Sequence, residues 1–324
     1  MKIACVLVSM CLWLGAASCR AAEAGIATIV EGDATMLRGT SWLKLADGVR
    51  IQEGDVIEAA ASAALQVELF DGSSFGLQGP ATLYIASLPS RDGKLTGAAE
   101  FYLAKGWLKL SAHSTKSDIR VRTQLATLTA IEAVAVIRSG DGVDIFIESG
   151  SARLSDPGRK LSEAAPAPKA GEFWSRSAAG RPFASAQRPP PAFLTAMPKQ
   201  FMVTMPGRIA RFQTNRVDPV TLRDANFADA EPWLATPYRT AFVNRFQVKL
   251  KDPAFQKAAE PRLRDVPEWD KALRPAEAPK PAAAPGAATA PAPAPVPAAS
   301  APPAQKGLFD RLFDRSSKER ERAQ

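Results

Sequence analysis

Histidine is the side chain most often used in acid–base catalysis, and this 324-residue chain contains only one, His113. A Ser-His-Asp triad would have to use it, yet no G-x-S-x-G motif or comparable nucleophile elbow accompanies it. One histidine also excludes a multi-histidine metal centre. Because His113 lies in the polar stretch from Ser111 to Asp118, we interpret it as a solvated residue in a connection between strands.

Cysteine chemistry depends on how the N-terminus is processed, because Cys5, Cys11 and Cys19 all lie in the first 19 residues. Residues 1–24 have the pattern of a signal peptide: Lys2, then an apolar run too short to span a bilayer comfortably, then an A-x-A cleavage site. Cleavage after this site would remove every thiol. Disulfides, cysteine–zinc sites and cysteine nucleophiles would then be excluded together.

An alternative processing route keeps one cysteine. Cleavage after the small residues 16–18 would leave Cys19 at the N-terminus as a possible lipidation site. We expect a periplasmic or secreted protein, with lipid anchoring through Cys19 as the alternative.

Carboxylates are plentiful, and Asp71, Asp92, Asp141 and Asp144 include several beside glycine. Side-chain hydrogen bonds to the backbone of turns explain such positions better than an acid–base pair does. The stretch Ser139 to Asp144 is a weaker calcium candidate, because the full twelve-residue loop pattern is missing. No phosphate-binding glycine loop is present. We therefore predict no catalytic, cofactor-binding or metal-binding residues and no cofactor.

The net charge of +8 is compatible with anionic partners. Phe201 and Phe212 lie close to four arginines in the sequence, a combination that superficially suggests nucleic-acid binding. Export and the interspersed Asp218 and Asp224 argue against it, so no nucleic-acid partner is expected. The four arginines are Arg208, Arg211, Arg216 and Arg223.

The C-terminus carries an apolar stripe at one- and four-residue offsets, which would lie on one face of a helix. Its members are Leu308, Phe309, Leu312 and Phe313. We predict contact with a membrane surface or a partner protein, while docking on the chain's own β domain is an equal alternative.

The elements that would position any site are predicted to be strands, because apolar and polar residues alternate with period two from Gly25 to about Asp156. Residues 65, 67 and 69 in "LQVELF" are apolar, whereas Gln66 and Glu68 face the other way. Asp71-Gly72 predicts a turn, and further breaks are expected at Gly79-Pro80, Lys105-Gly106 and Ser149-Gly150. The pattern favours an all-β domain, either an antiparallel sandwich or roll or a short β-solenoid.

The order of these elements resembles the FecR domain. The pattern "G…L…L.DG..I.EGD.IE….A.L.V.L.DGS…L.GP..L" runs from Gly39 to Leu83, and later strands fit at Gly106 to Leu110, Ile119 to Thr123 and Val143 to Leu154. Many members of that family place a Gly-Thr pair before a late strand, whereas this chain has residues 131–134, Ile-Glu-Ala-Val.

The resemblance implies an extracytoplasmic β domain. FecR-type regulators join that domain to a membrane span and a cytoplasmic sigma-factor-binding segment, but only Met1 and Lys2 precede the apolar run here. We therefore expect a stand-alone exported FecR-like protein that does not relay a signal by that route.

The second half of the chain is organised differently. The sequence predicts a Pro-rich linker at 157–200, with polyproline II geometry over Arg188 to Phe193, and a basic region with short helices at 201–274. Helix signals there are the Asp252-Pro253 cap, the spacing of Tyr238, Phe242 and Phe246, and Pro267. A disordered Pro/Ala linker at 275–305 and a short amphipathic C-terminal helix at 306–324 complete the predicted organisation.

Together these features predict an exported non-enzymatic FecR-domain protein that acts as a binding scaffold or signalling-related module of the bacterial envelope. Its expected partner is an envelope protein or a cell-wall component, with a peripheral membrane contact through the C-terminal helix. The alternative is an envelope enzyme that acts on cell-wall glycan or peptide through a carboxylate pair.

Overall fold

The computed structural model describes residues 23–88, 98–113, 118–159, 162 and 165–273. The chain is mostly β-structure in its N-terminal part and helical afterwards, as the sequence predicts. The strands are β1 (Glu23–Glu31), β2 (Ala34–Arg38), β3 (Ser41–Lys44), β4 (Arg50–Gln52), β5 (Val56–Ala59), β6 (Ala64–Leu69), β7 (Ser74–Ser87), β8 (Ala99–Ser111), β9 (Ile119–Arg122), β10 (Thr127–Ser139), β11 (Val143–Ser155), β12 (Phe173–Arg176), β13 (Ala184–Ala186) and β14 (Val220–Asp224).

All the strands given above belong to one sheet whose main order is β13-β12-β11-β10-β9-β8-β7-β5-β2-β3-β14. Strand β1 pairs with β4 and β6, and β6 pairs with β7. Among the strand pairs of the described residues only β8 and β9 run parallel, so the antiparallel alternative is observed. Inward-facing apolar residues, including Leu65, Val67 and Leu69 of β6, form the main core.

Three predicted strand breaks are instead bends inside long strands. Residues 79 and 80 lie within β7 and Gly106 within β8, where the pairing of the two strands shifts register. A Cβ on Gly79 would lie 1.7 Å from the Ala60 carbonyl oxygen. The glycine therefore permits a close backbone approach and not a chain reversal. The prediction of a turn at Asp71-Gly72 is confirmed, because the Asp71 carboxylate accepts a hydrogen bond from the Ser73 amide at 2.9 Å.

The third bend lies in the paired strands β10 and β11, at Glu132 and Gly150. Both residues have positive φ, +48° and +78°, and the pairing of the two strands shifts register between Ile131 and Val134. Glycine adopts this conformation without a steric penalty, whereas glutamate does not. Ser149-Gly150 is thus not a break between strands, and the segment that departs from the FecR pattern is a bulge.

The chain after β11 packs back onto the outer surfaces of the β domain. Strands β12 and β13 extend the sheet beyond β11. Helix α1 (Pro191–Ala196) begins at the last of three prolines, so the predicted polyproline II segment is wrong over residues 191–193. Proline is well tolerated at the first position of a helix, where its missing N–H has no intrahelical partner. Phe193 of α1 is buried with its ring centroid 5.0 Å from that of Phe173.

Residues 199–213, here called the strap, cover the outer face of β6, β7 and β8. They include short 3₁₀ helices at Lys199–Met202 and Ile209–Phe212. Lys109 donates to the carbonyl oxygens of Phe201 and Val203 at 2.5 and 3.1 Å and pairs with Glu148 at 2.8 Å. The Glu68 carboxylate accepts from the amides of residues 208 and 209 at 2.7 and 3.0 Å. The outward polar face of β6 is therefore buried by the chain itself.

Residues 227–273, here called the cap, cover a second outer surface. The helices are α2 (Phe227–Ala230), α3 (Arg239–Phe246), α4 (Pro253–Ala259) and α5 (Pro267–Leu273), with 3₁₀ segments at Glu231–Ala235, Gln247–Lys251 and Glu260–Asp265. The predicted helix signals are confirmed: Asp252 caps α4 through the Ala254 amide, Phe242 and Phe246 are buried on one face of α3, and α5 begins at Pro267.

The cap contacts the β domain through aromatic side chains. Tyr84 of β7 and Tyr102 of β8 pack against Trp233, Tyr238 and Phe242 with ring centroids 5.0 to 6.2 Å apart. Trp233 and Phe242 stack at 4.5 Å with nearly parallel planes. Within the described part of the chain, no helix has the length and apolar composition needed to cross a bilayer.

Candidate functional site

The sequence-predicted contact residues lie outside the described residues. These are Cys19 as a lipidation site and the apolar stripe of Leu308, Phe309, Leu312 and Phe313. Their roles remain predictions.

His113 is exposed and takes part in local hydrogen bonds. Its Nδ1 lies 3.2 Å from the Ser111 hydroxyl, and its amide donates to the Ser73 hydroxyl at 3.0 Å. These contacts join the end of β8 to the Asp71-Gly72 turn.

The weak calcium candidate at Ser139 to Asp144 is occupied by an arginine. Nε of Arg138 donates to Oδ2 of Asp144 at 2.8 Å, and Arg176 lines the same surface depression. Two guanidinium groups would repel a cation there. No group of three or more His, Cys, Asp or Glu side chains with metal-binding spacing occurs among the described residues. Asp92 lies outside these residues.

Two of the four arginines that suggested a basic patch have carboxylate partners. Arg216 pairs with Glu23 and Asp218 at 2.7 and 3.1 Å, and Arg223 with Asp229 at 2.7 Å. These pairs neutralise part of the positive charge of this segment.

The longest fully exposed strand of the described residues is β14, which forms one end of the main strand order. All five of its residues are exposed. It pairs with β3 on one side, and its other side has no strand partner within the described ranges. Two apolar side chains two residues apart, Val220 and Leu222, are 65% and 51% exposed. An edge of this kind presents unpaired backbone groups together with apolar side chains.

Polar contacts fix β14 against the cap. The Arg223 guanidinium binds both oxygens of Asp229 at 2.7 and 2.8 Å and lies 5.6 Å from the Trp42 ring centroid. At the end of the strand, Asp224 pairs with Lys249 at 2.9 Å. Burial would raise the pKa of Asp229, but hydrogen bonds from Arg223 and the Asn226 amide outweigh it, so that pKa lies below its ordinary value. The ion pairs therefore hold β14 in place while all five of its residues stay exposed within the described part of the chain.

The opposite end of the main strand order is β13, which has less exposed apolar surface than β14. It has three residues, Ala184–Ala186, all exposed and all small. Its small side chains offer little apolar contact area to a strand that would pair with this edge.

A second feature is a cavity of about 500 Å³ where β8, β9, β10 and β11 lie side by side. Strand pairing places Arg122, Thr127 and Ser155 in one row across three strands, and Glu100, Arg120 and Thr129 in the next. Gly158 and Arg159 follow β11 and also line the cavity. The described lining residues therefore carry three guanidinium groups and one carboxylate.

The carboxylate in this cavity, Glu100, is already satisfied. It accepts from Arg122 at 3.0 Å and from the Tyr238 hydroxyl at 2.5 Å. Burial, followed by the hydrogen bond and the charge of Glu100, raises the pKa of Tyr238 far above its ordinary value. Tyr238 thus stays a donor, and its ring lies 5.3 Å from the Arg122 guanidinium.

Sequence reasoning missed this cavity. A signal was present in "IRVR" (Ile119–Arg122), where Ile119 and Val121 alternate with two arginines. The arginines therefore lie on the face opposite the core. The hydroxyls and Arg159 come from other strands and are brought together only by the pairing.

No family model matches the chain, and no curated protein matches it. Similar solved structures include two of a proposed anti-sigma factor from Parabacteroides distasonis ATCC 8503, with 13% and 12% sequence identity and a TM-score of 0.34 each. Each alignment covers 41% of this chain and 59% of the other. The chain thus matches less than two thirds of the length of these structures.

Proposed function

We propose that the chain is an exported, non-enzymatic binding module of the bacterial envelope. The edge of β14 receives an extended segment of a partner protein as an added strand. The observation that carries this proposal is the fully exposed strand with one edge unpaired among the described residues.

Three properties of β14 favour an added strand. Its outer edge presents backbone N–H and C=O groups that a partner strand would pair. Val220 and Leu222 offer apolar area that is otherwise in contact with water. The Arg223–Asp229 and Asp224–Lys249 ion pairs hold the strand in position before binding, which reduces the ordering cost.

Site-specific photo-crosslinking in intact cells tests this proposal. A photoreactive amino acid replaces Val220 on β14, and matched positions are Met202, which is 57% exposed on the strap, and Ser185 on β13. We expect one envelope protein to be cross-linked from position 220 and not from 202 or 185. The proposal is wrong if no protein is captured, or if all three positions capture the same proteins.

A second substitution separates strand addition from simple proximity. Leu222→Lys places a charge on the edge and should abolish the crosslink from position 220, because an edge lysine opposes strand pairing. Met202→Lys, the matched change at an equally exposed apolar residue, should leave the yield unchanged. Equal losses in both variants would contradict edge recognition.

The resemblance to the FecR domain supports a signalling-related role for the same module, and the identity of the cross-linked protein decides it. A membrane regulator would support signalling, whereas a cell-wall enzyme or structural protein would support a scaffold. Localisation rests on the signal-peptide pattern of residues 1–24, with the lipid anchor at Cys19 as the alternative.

The C-terminal stripe would supply a second contact with the membrane surface. Deleting residues 308–324 and fractionating cells tests it. Loss of membrane association in the truncated chain supports the contact, and unchanged association contradicts it.

A further inference from the structure

We propose that the cavity between β8, β9, β10 and β11 binds a small anionic ligand of about the size of a sugar phosphate or sugar acid. The site is separate from the β14 edge, and ligand binding there does not depend on strand addition. Its volume of about 500 Å³ lies in the range of small-molecule sites.

The charge of the lining selects an anion. Among the described lining residues, three guanidinium groups, those of Arg120, Arg122 and Arg159, face one carboxylate, Glu100. Asp156, beside the lining, pairs with Arg159 at 3.5 Å, so the positive excess is carried chiefly by Arg120. Arg122 is engaged by Glu100 at 3.0 Å, whereas Arg120 is 4.0 Å from it and its side chain is 49% exposed. Arg120 therefore has donors available for an oxyanion, which a guanidinium binds in bidentate fashion.

A buried hydroxyl provides an independent indication of a ligand. Thr127 is 8% exposed and lines the cavity, and its Oγ1 has no hydrogen-bond partner among the described residues. This oxygen is shielded from solvent, so a ligand would reach it when the side chain turns toward the cavity. A buried polar group without a partner is costly. Thr129 and Ser155 lie beside it on the wall, so an anion with hydroxyl groups would find partners for both its charged and its neutral parts.

Gly158 lines one side of the cavity. Its positive φ (+75°) is a conformation that glycine adopts without strain, and a Cβ built there would make an ordinary contact, 3.9 Å, with Nη2 of Arg122. It forms a turn with Pro157, closed by a 3.2 Å hydrogen bond from the Arg159 amide to the Asp156 carbonyl. The turn brings the third arginine to the cavity.

Calorimetric titration of the purified chain with glucose 6-phosphate, glucuronate, inorganic phosphate and glucose tests the proposal. We expect saturable binding of glucose 6-phosphate or glucuronate and none of glucose. Inorganic phosphate should bind more weakly than glucose 6-phosphate, because it lacks the hydroxyl groups of the sugar. Binding of neither sugar anion at millimolar concentration, or equal binding of glucose, would overturn the assignment.

A substitution of Arg120, with a matched control, tests whether its guanidinium binds the anion. Arg120→Gln should weaken binding roughly 10- to 100-fold, the usual effect of losing a charge-assisted hydrogen bond. Arg153→Gln is the matched control, because Arg153 is an exposed residue opposite Thr129 that does not line the cavity. Equal losses in both variants would indicate a diffuse positive potential and would overturn a defined site.

Thr127→Val removes the hydroxyl with little change of shape. It should weaken binding roughly tenfold without lowering the melting temperature of the ligand-free chain, since the hydroxyl has no partner to lose. Unchanged affinity in this variant would remove Thr127 from the site and contradict the proposed hydroxyl contact.

Discussion

The strap and the cap cover two outer surfaces of the same β domain by different means. The strap buries the ring of Phe201, and its backbone is held by polar side chains of the strands beneath it, chiefly Lys109 and Glu68. The cap is held by aromatic rings, with Tyr84 and Tyr102 packed against Trp233 and its neighbours.

The difference follows from the hydrogen bonds of the covering segment. A helix satisfies most of its own backbone groups, so the surface beneath it can be apolar. Much of the strap has no regular secondary structure, and its buried carbonyls and amides need partners from elsewhere. Buried Lys109, Glu68 and Gln66 supply those partners.

The largest expected effect is on the cap. Phe242→Ala removes a fully buried ring that stacks on Trp233 at 4.5 Å and should lower the free energy of unfolding by about 4 kcal/mol. Urea denaturation followed by tryptophan fluorescence measures it. Val248→Ala, at a residue 58% exposed, is the control and should change stability by less than about 0.5 kcal/mol.

Lys109→Met tests the strap at a buried lysine that binds two of its carbonyl groups. The variant leaves Glu148 and two carbonyl groups without their partner and should cost about 3 kcal/mol. Limited proteolysis should cut within residues 199–213 first, while cleavage of the cap is unchanged.

The matched control is Lys105→Met, at an exposed lysine on the same strand. It should leave the cleavage pattern as it is in the parent chain. Equal sensitivity of strap and cap in Lys109→Met would show that the two surfaces are not independent.

Glu68→Gln keeps the size of the side chain but removes an acceptor. Glu68 accepts from Thr28, Gln66 and the amides of residues 208 and 209, and an amide nitrogen cannot replace a carboxylate oxygen there. We expect a loss of about 1 to 2 kcal/mol, with faster amide exchange at 208 and 209. Glu31→Gln, at an exposed position on β1, should have no effect on either measurement.

The smallest expected effect is the pH dependence of the cap. The folded-state pKa of Asp229 lies below its ordinary value of 3.8, so its contribution to stability is present above pH 3.8 and is lost as the pH falls through the folded value. The contribution should be no more than about 1 kcal/mol, because Arg223 is half exposed.

Comparison with Asp229→Asn isolates this term in acid denaturation. The variant should be less stable at neutral pH, and the difference should shrink as the pH falls below 3.8. A constant difference across that range would show that the ion pair with Arg223 contributes nothing.

Much of the fold was predictable because its signals are local. The alternation in β6, the Asp71-Gly72 turn and the cap of α4 at Asp252 each depend on a few consecutive residues. The bends at Gly79 and Gly150 were not distinguished from turns, because a glycine between two apolar runs gives the same local pattern in both cases. Only the pairing with a neighbouring strand distinguishes a bend from a turn at these glycines.

The candidate sites depend on long-range pairing and were not predictable in the same way. Gln66 and Glu68 had the pattern of a solvent face, and nothing local indicates that a segment about 140 residues later covers them. The cavity joins Arg120 to Thr129 through strand pairing. The weak apolar alternation of β14 gave no sign that it would form an edge.

Amide hydrogen exchange of the chain, alone and bound to the protein captured from position 220, is the sharpest test of recognition at the β14 edge. We expect slower exchange at residues 220–224 on binding, with residues 184–186 of the opposite edge unchanged. Protection confined to β13, the strap or the cap, with β14 exchanging as fast as in the free chain, would contradict it.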